Sequence, residues 1–267
     1  MQFGMFLALV RESDGSIGAP AALFMFHRTK RIMSLPYFRF RQFVVRHDAS
    51  SMPVGTDGVL LGAWAHLDGA CHVLDIGTGS GLVALMAAQR ASHAQVEGID
   101  IDLPSVEQAQ QNVQESPFAS RISIRQADVR VFTSQQGAFD RILSNPPFFV
   151  NDVLPPSERR MMARNAQALP AESLLDAVVR LLTDDGRFSV VLPTPSQTTF
   201  VGLALERGLH LTRSLHVRTV MRKPPKRVLL EFSRQRVLPV ECSEMLLQSA
   251  DGARSPEYAR LTQDFYL

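Results

Sequence analysis

The sequence predicts an α/β protein: a doubly wound, mainly parallel sheet of seven strands with helices on both faces. Three observations predict it. Short apolar runs alternate with stretches of helical apolar spacing along most of the 267 residues. One run, Val73-Leu74-Asp75-Ile76, enters the loop Gly77-Thr78-Gly79-Ser80-Gly81 and leaves it in a helical pattern. The runs that follow are closed by Asp100, Asp128 and Asn145, which places hydrogen-bonding side chains at successive strand ends.

Taken in order, Phe38 to Val45 alternates apolar with polar residues and reads as a strand or hairpin ahead of the core domain. Pro53 to Gly58 is a turn, with Thr56 or Asp57 placed to cap a helix over Val59 to Ala65. Val73 to Ile76 is the first buried strand, and Leu82 to Arg90 the helix after the glycines. Strand, glycine loop and helix form the first βα turn of a nucleotide-binding sheet, where backbone passes close to a ligand beside a helix N-terminus. The spacing is G-x-G-x-G rather than the longer G-x-G-x-x-G of a pyrophosphate cradle. Asp75 just before the loop would repel a phosphate and suits a cationic amine. That pair of features favours S-adenosylmethionine over NAD.

Val96 to Ile99 is a second strand. Asp100 at its end is placed to accept hydrogen bonds from both hydroxyls of an adenosine ribose; Asp102, two positions on, is the rival and reads better as the cap of the helix Leu103 to Gln114. Ile122 to Ile124 is a third strand, and Asp128 beyond it either meets the adenine amine of the same ligand or is a turn aspartate. Phe139 to Ser144 is the fourth, stopped by Asn145-Pro146-Pro147-Phe148. Proline has no N–H and disfavours a helical residue before it, so this strand end is held extended. An amide oxygen and the Pro146 carbonyl are both acceptors and can hold the two hydrogens of a planar amine, with an aromatic face to stack on its ring. Leu174 to Leu182 is an amphipathic helix ended by Asp184-Asp185-Gly186, Phe188 to Leu192 a fifth strand, and Phe200 to Arg207 a helix. His210 to Val220 and Arg227 to Phe232 are the last two strands.

Domain organisation is read as an extension over 1–33, disordered or untranslated with Met33 as the start, and a single domain over 34–267 that opens on the hairpin and helix segment. Neither apolar run near the N-terminus has the flanks of a signal peptide. No run approaches the roughly 18 apolar residues of a membrane span. Cys71 and Cys242 fit no metal-ligand spacing and are read as buried thiols in a reducing compartment. Net charge is only +2, yet nine Lys or Arg fall between Arg207 and Arg236 against the single acid Glu231. Such a segment in a near-neutral chain points to a polyanionic partner, its alternative being a solvated surface. Its centre, Arg222-Lys223-Pro224-Pro225-Lys226-Arg227, is a stiff basic loop.

Asp75 with Gly77, Gly79 and Gly81, then Asp100, Asp128 and Asn145-Pro146-Pro147-Phe148, resembles the class I S-adenosylmethionine-dependent methyltransferases, and within them the amino-methyltransferases with an N-P-P-[YF] site. Gln42-Phe43 through His47-Asp48, Val54 through Trp64, Arg227 through Leu230 and the closing Leu261-Thr262-Gln263-Asp264-Phe265-Tyr266-Leu267 are similar to the bacterial tRNA(Val) (adenine(37)-N6)-methyltransferase family over nearly all of 38–267. The resemblance implies a Rossmann-like fold, S-adenosylmethionine as cofactor and a tRNA substrate, in the cytoplasm, without a membrane, a metal or an obligate protein partner. It carries the catalytic role onto Asn145, Pro146, Pro147 and Phe148. Cofactor contacts fall on Thr56, Asp57, Asp75, Gly77, Thr78, Gly79, Gly81, Asp100, Asp128 and Asn145, and RNA contacts on Arg222, Lys223, Lys226 and Arg227. Two departures stand out: Phe148 replaces the family's usual tyrosine, and the expected substrate segment, Asn151 to Gln167, matches less well.

Three rival readings use the same residues. The acceptor pair would equally hold a glutamine side-chain amide, which makes a protein methyltransferase acting on a translation factor. Guanine N2 or a DNA adenine would undergo the same chemistry on another nucleic acid. A non-catalytic cofactor-binding scaffold would be expected to lack Asn145 or a loop glycine, and both are present.

Overall fold

A computed structural model describes residues 37–47, 54–134, 138–147 and 169–267. The extension expected at 1–33, Phe148 and the segment 151–167 lie outside them. The elements run in the order β1 (Tyr37–Arg39), β2 (Val44–Arg46), α1 (Thr56–Trp64), β3 (His72–Ile76), α2 (Leu82–Arg90), β4 (Gln95–Asp100), α3 (Leu103–Gln114), β5 (Ile122–Gln126), β6 (Phe139–Ser144) and α4 (Ala171–Leu181). They continue with β7 (Leu182–Pro193), α5 (Gln197–Glu206), β8 (His210–Arg218), β9 (Arg227–Ser233), β10 (Glu241–Leu246) and α6 (Pro256–Thr262).

The main sheet has the order β10-β8-β9-β7-β6-β3-β4-β5, and β1 pairs with β2 in a separate hairpin. Every neighbouring pair in the main sheet is parallel except β9, which runs antiparallel to both β7 and β8. Strands 3, 4 and 5 step outward one way and strands 6 and 7 the other, so the order reverses between β3 and β6. In open parallel sheets, ligands settle in the crevice at that reversal, outside the carboxyl ends of the strands. Because β9 runs backward, its first residue, Arg227, pairs in register with Pro193 at the end of β7. The basic loop between β8 and β9 thus emerges on the same edge as the glycine loop.

Two-residue alternation divides the buried side chains between the two faces. Val73, Leu143, Val191 and Leu229 pack with α1, α2, α3 and the hairpin. Leu74, Ile142, Leu192 and Leu230 pack with α4 and α5. On the first face, α1 lies unusually close to α2. A Cβ on Gly62 would fall 2.7 Å from the Met86 sulfur, and one on Gly58 3.1 Å from Leu82 Cδ2. Glycines one helical turn apart permit this approach, and it brings the start of α1 against the end of β6.

Several local expectations need correction. The helix beginning near residue 56 is capped by Gly55 without any side-chain bond, so neither Thr56 nor Asp57 is its cap. Both lie inside the first turn, and the Asp57 carboxylate accepts from Arg227 instead. α4 ends at Leu181, and the chain passes directly into β7; Asp184-Asp185-Gly186 belongs to an irregularity there, with Phe139 opposite Leu182 and Arg141 opposite Arg187. Cys71 and Cys242 are both exposed rather than buried. Cys71 sits in the turn before β3 and Cys242 on the edge strand β10, which adds an eighth strand to the seven expected.

Candidate active site

The three loop glycines all have left-handed backbones, with φ of 72° at Gly77, 54° at Gly79 and 82° at Gly81, a region that side chains disfavour. Nothing lies within 4 Å of where a Gly77 Cβ would stand, so the backbone there is bare toward the crevice. The Gly77 and Thr78 amides both donate to the Ile99 carbonyl, and the Gly81 amide donates to Thr78 O. The Gly79 amide donates to Asp100 Oδ2 at 2.8 Å. Thus the end of β4 holds the loop at the end of β3.

Asp75 is 1 % exposed. Its Oδ2 accepts from the Thr78 hydroxyl at 2.7 Å and the Ala84 amide at 3.2 Å, while Oδ1 is buried with no partner. Burial raises the Asp75 pKa to about 7, with Asp100 adding to the rise and the Thr78 and Ala84 hydrogen bonds opposing it. Asp100 is half-buried, and burial raises its pKa too. The competition with Asp102 is resolved as expected, since Asp102 caps α3 by accepting from the Ser105 amide. Asp128 stands at the end of β5, but Arg130 engages both of its oxygens and holds its carboxyl below the usual range.

Across the reversal point, Ser144 pairs in register with Ile76, which puts Asn145 beside Gly77 on the adjacent strand end. The Ser144 hydroxyl donates to the Ile76 carbonyl at 2.9 Å and ties the two ends together. Asn145 Oδ1 is buried and has no hydrogen-bond partner. Its Nδ2 lies 3.8 Å from the position of a Gly58 Cβ, so the amide stands between the glycine loop and α1. A buried acceptor left empty normally costs about 1–3 kcal/mol and calls for an explanation such as a ligand.

The donor set fits S-adenosylmethionine. The buried Asp75 Oδ1 is without a partner, a bare glycine backbone faces the crevice, and Asp100 stands at its edge. Ile101 and Leu103, 37 % and 48 % exposed, follow this acid and expose apolar surface just beyond the strand end. Neither is among the residues expected at the site, and an apolar residue directly after each of Asp100 and Asp102 is the sequence signal for them. Thr194, just beyond β7, is a second omission; its Oγ1 is buried without a partner on the far side of β6.

Residues 59–201 match the model of the methyltransferase small domain. Among curated proteins, the chain is 42 % identical to the tRNA1(Val) (adenine(37)-N6)-methyltransferase of Bacteroides fragilis, covering 88 % of this chain and 99 % of that one. The enzymes of the same name from Phocaeicola vulgatus and Trichodesmium erythraeum are 43 % and 40 % identical, over 88 % and 86 % of this chain and 99 % and 97 % of theirs. The chain belongs to the tRNA1(Val) (adenine(37)-N6)-methyltransferase family. It is an S-adenosylmethionine-dependent methyltransferase. A crystal structure of a predicted O-methyltransferase from Agrobacterium tumefaciens shares the fold, with a TM-score of 0.62 at 17 % identity over 78 % of this chain and 96 % of that one.

The basic segment of this methyltransferase is less bare than its sequence reads. Arg207 pairs with Asp176, Arg213 with the buried Glu231, Arg218 with Glu244, Arg227 with Asp57 and Arg234 with Asp184. Arg222, Lys223 and Lys226 are exposed on the loop at the crevice edge and have no acidic partner among the described residues. Arg227, expected beside them as an RNA contact, instead holds Asp57 Oδ2 at 2.8 Å and pins the first turn of α1. Among the described residues, no three His, Cys, Asp or Glu side chains form a metal site, and no helix is long and apolar enough to cross a membrane.

Proposed function

We propose that the chain methylates the exocyclic N6 amine of adenine 37 in a valine tRNA, and that Asn145 holds that amine. The observation that carries this reading is the partnerless, buried Oδ1 of Asn145, one residue past the strand pair that abuts the glycine loop. Identity above 40 % to enzymes of that name supports the choice of substrate. Such a substrate sets the protein in the cytoplasm.

Bound S-adenosylmethionine supplies an electrophilic methyl on a sulfonium. The residues of the chain do the rest by placement. Asp75, Asp100 and the bare backbone at Gly77 would hold the donor, with Asp75 toward its cationic group and Ile101 and Leu103 offering apolar surface to its adenine. An arylamine is a poor nucleophile because its lone pair is delocalised into the ring. Asn145 Oδ1 and the Pro146 carbonyl accept its two hydrogens and leave the lone pair aimed at the methyl. Transfer would exchange the donor's S–C bond for the new N–C bond, and the surplus proton on nitrogen would then leave to water. No strong base is required, so positioning and electrostatics carry the acceleration. Pro146 and Pro147 keep the acceptors rigid, and Phe148 stacks on a base drawn out from its neighbours. Arg222, Lys223 and Lys226 hold the phosphate backbone without reading sequence.

The test is transfer of labelled methyl from S-adenosylmethionine to total tRNA, followed by digestion to nucleosides. Label in N6-methyladenosine is the expected result. Label on a release factor, on another nucleoside or on nothing would replace the substrate assignment. Asn145→Ala should keep donor affinity near normal while turnover falls by orders of magnitude, and unchanged turnover would remove its role.

A further inference from the structure

We propose that Asn112, near the end of α3, is a positioning residue through which the N-terminal hairpin and the C-terminal tail set the glycine loop. The inference rests on reading that loop as the seat of S-adenosylmethionine. The Asn112 side chain is fully buried. Its Oδ1 accepts from the Arg46 amide at 2.9 Å, and its Nδ2 donates to the Arg46 carbonyl and to the Ser80 carbonyl, both at 2.8 Å. A side-chain amide has two N–H donors, and both are spent. The pair of bonds to Arg46 imitates a neighbouring strand, so the last residue of β2 ends on Asn112. The third bond goes to the one residue between the left-handed Gly79 and Gly81.

Among the described residues, the loop's other hydrogen bonds come from β3, β4, the start of α2 or the loop itself, and Asn112 is the side chain that links it to a segment from elsewhere in the chain. α3 also touches the loop directly one turn earlier, since a Gly81 Cβ would stand 3.2 Å from Ala109 Cβ. A shift of α3 or β2 therefore reaches the loop through both packing and a hydrogen bond.

The hairpin is in turn fastened by the far end of the chain. The Arg41 amide donates to Phe265 O at 2.8 Å, and Arg41 Nε donates to Tyr266 O at 2.6 Å. Phe40 is stacked between Phe43 and Tyr266, with ring centroids 4.8 and 6.1 Å away. Neither hairpin nor tail lies within the 59–201 stretch of the shared methyltransferase domain. The connection runs from tail to hairpin to Asn112 to Ser80, and its last bond belongs to the cofactor loop.

Full-length Asn112→Ala and Tyr266→Ala would each be compared with the parent in three measurements. These are amide hydrogen exchange over residues 77–81 without ligand, S-adenosylmethionine affinity by calorimetry, and tRNA affinity by filter retention. Losing the Nδ2 donor strands a buried carbonyl, worth about ten-fold in an equilibrium. Exchange at the loop should quicken about ten-fold and the donor dissociation constant rise about ten-fold, with tRNA affinity within two-fold of the parent. In turnover, the effect should fall on KM for the donor rather than on KM for tRNA. Tyr266→Ala, distant from the loop and simpler to fold, should shift the same quantities in the same direction by a smaller factor. Loop exchange unchanged in both folded variants, or equal losses of donor and tRNA binding, would overturn the proposal. Should the parent fail to bind S-adenosylmethionine at all, the cofactor reading fails separately, and the exchange measurement still decides whether Asn112 holds the loop.

Discussion

Asp75 makes the affinity for S-adenosylmethionine depend on pH in a calculable way. In the ligand-free fold, burial holds its proton up to a pKa of about 7, against an ordinary 3.8. The folded state therefore binds this proton more tightly than the unfolded chain. The resulting stabilisation is complete below about pH 4 and is lost as pH rises through about 7. A cation placed against the empty Oδ1 works in the opposite sense, because it favours the carboxylate. Binding of the donor should expel the proton wherever Asp75 still carries it. At pH 6, about ten in eleven molecules are protonated and apparent affinity falls about eleven-fold, whereas at pH 8 the loss is about 1.1-fold. Affinity should thus rise about ten-fold from pH 6 to pH 8. Calorimetry in two buffers of different ionisation enthalpy would read proton release directly, near 0.9 per donor at pH 6 and about 0.1 at pH 8. In Asp75→Asn, the part of the pH dependence centred near 7 should be lost. A flat affinity with no proton release would show either that Asp75 is ionised throughout or that no cation meets it.

Three further changes test neighbouring parts of the site. In Gly98→Ala the new Cβ would stand 2.6 Å from Ile124 Cδ1 and 2.8 Å from Thr78 Oγ1. Overpacking of this kind costs about 1–3 kcal/mol, which urea unfolding would detect; an unaltered midpoint would mean the strand end has room to relax. Asp57→Asn removes a half-exposed pair and should cost less than about 1 kcal/mol in thermal unfolding. It also takes the Asp57 carboxylate charge away from Arg227 at the crevice edge, so the salt dependence of tRNA binding should steepen by up to about 0.9 in slope, and a constant slope would confine Arg227 to a structural role. Reversing charge at Lys223 and Lys226 should weaken tRNA binding and flatten the same slope by about 1–2; identical slopes would return the loop to ordinary surface.

What could be read in the sequence were features whose cause is local. Three glycines after an apolar run demand left-handed backbone, and Gly77, Gly79 and Gly81 adopt it. Asn-Pro-Pro stops a strand by the chemistry of proline alone, and β6 ends at Ser144. Errors arose where a distant partner decides. Asp57 has the residue type and place of a cap, yet Arg227, 170 residues away, takes its carboxylate. Cys71 was assigned a buried place on residue type, whereas its position in a turn exposes it. β10 escaped notice because Glu-Cys-Ser-Glu is exposed along an edge and shows no apolar alternation. α6 had a readable signal that was missed: Ser255 caps it by accepting from the Tyr258 amide, with Pro256 in the first turn.

The ion pairs also bear on how a polyanion would meet this sheet. Counted along the sequence, the segment from 207 to 236 spreads nine cations over two strands and three loops. Folding pairs five of them with Asp57, Asp176, Asp184, Glu231 and Glu244. Glu231, the lone acid within the segment, is 1 % exposed and sits between Arg187 and Arg213. Of the four cations left over, Arg236 follows β9 and so lies toward the opposite edge of the sheet. Arg222, Lys223 and Lys226 remain together at the end of β8, on the edge that carries Gly77 and Asn145. At physiological salt the field of an exposed charge fades over about 8 Å. A cluster at the crevice can therefore orient a nucleic acid there, whereas the same charges scattered along the strands could only attract it.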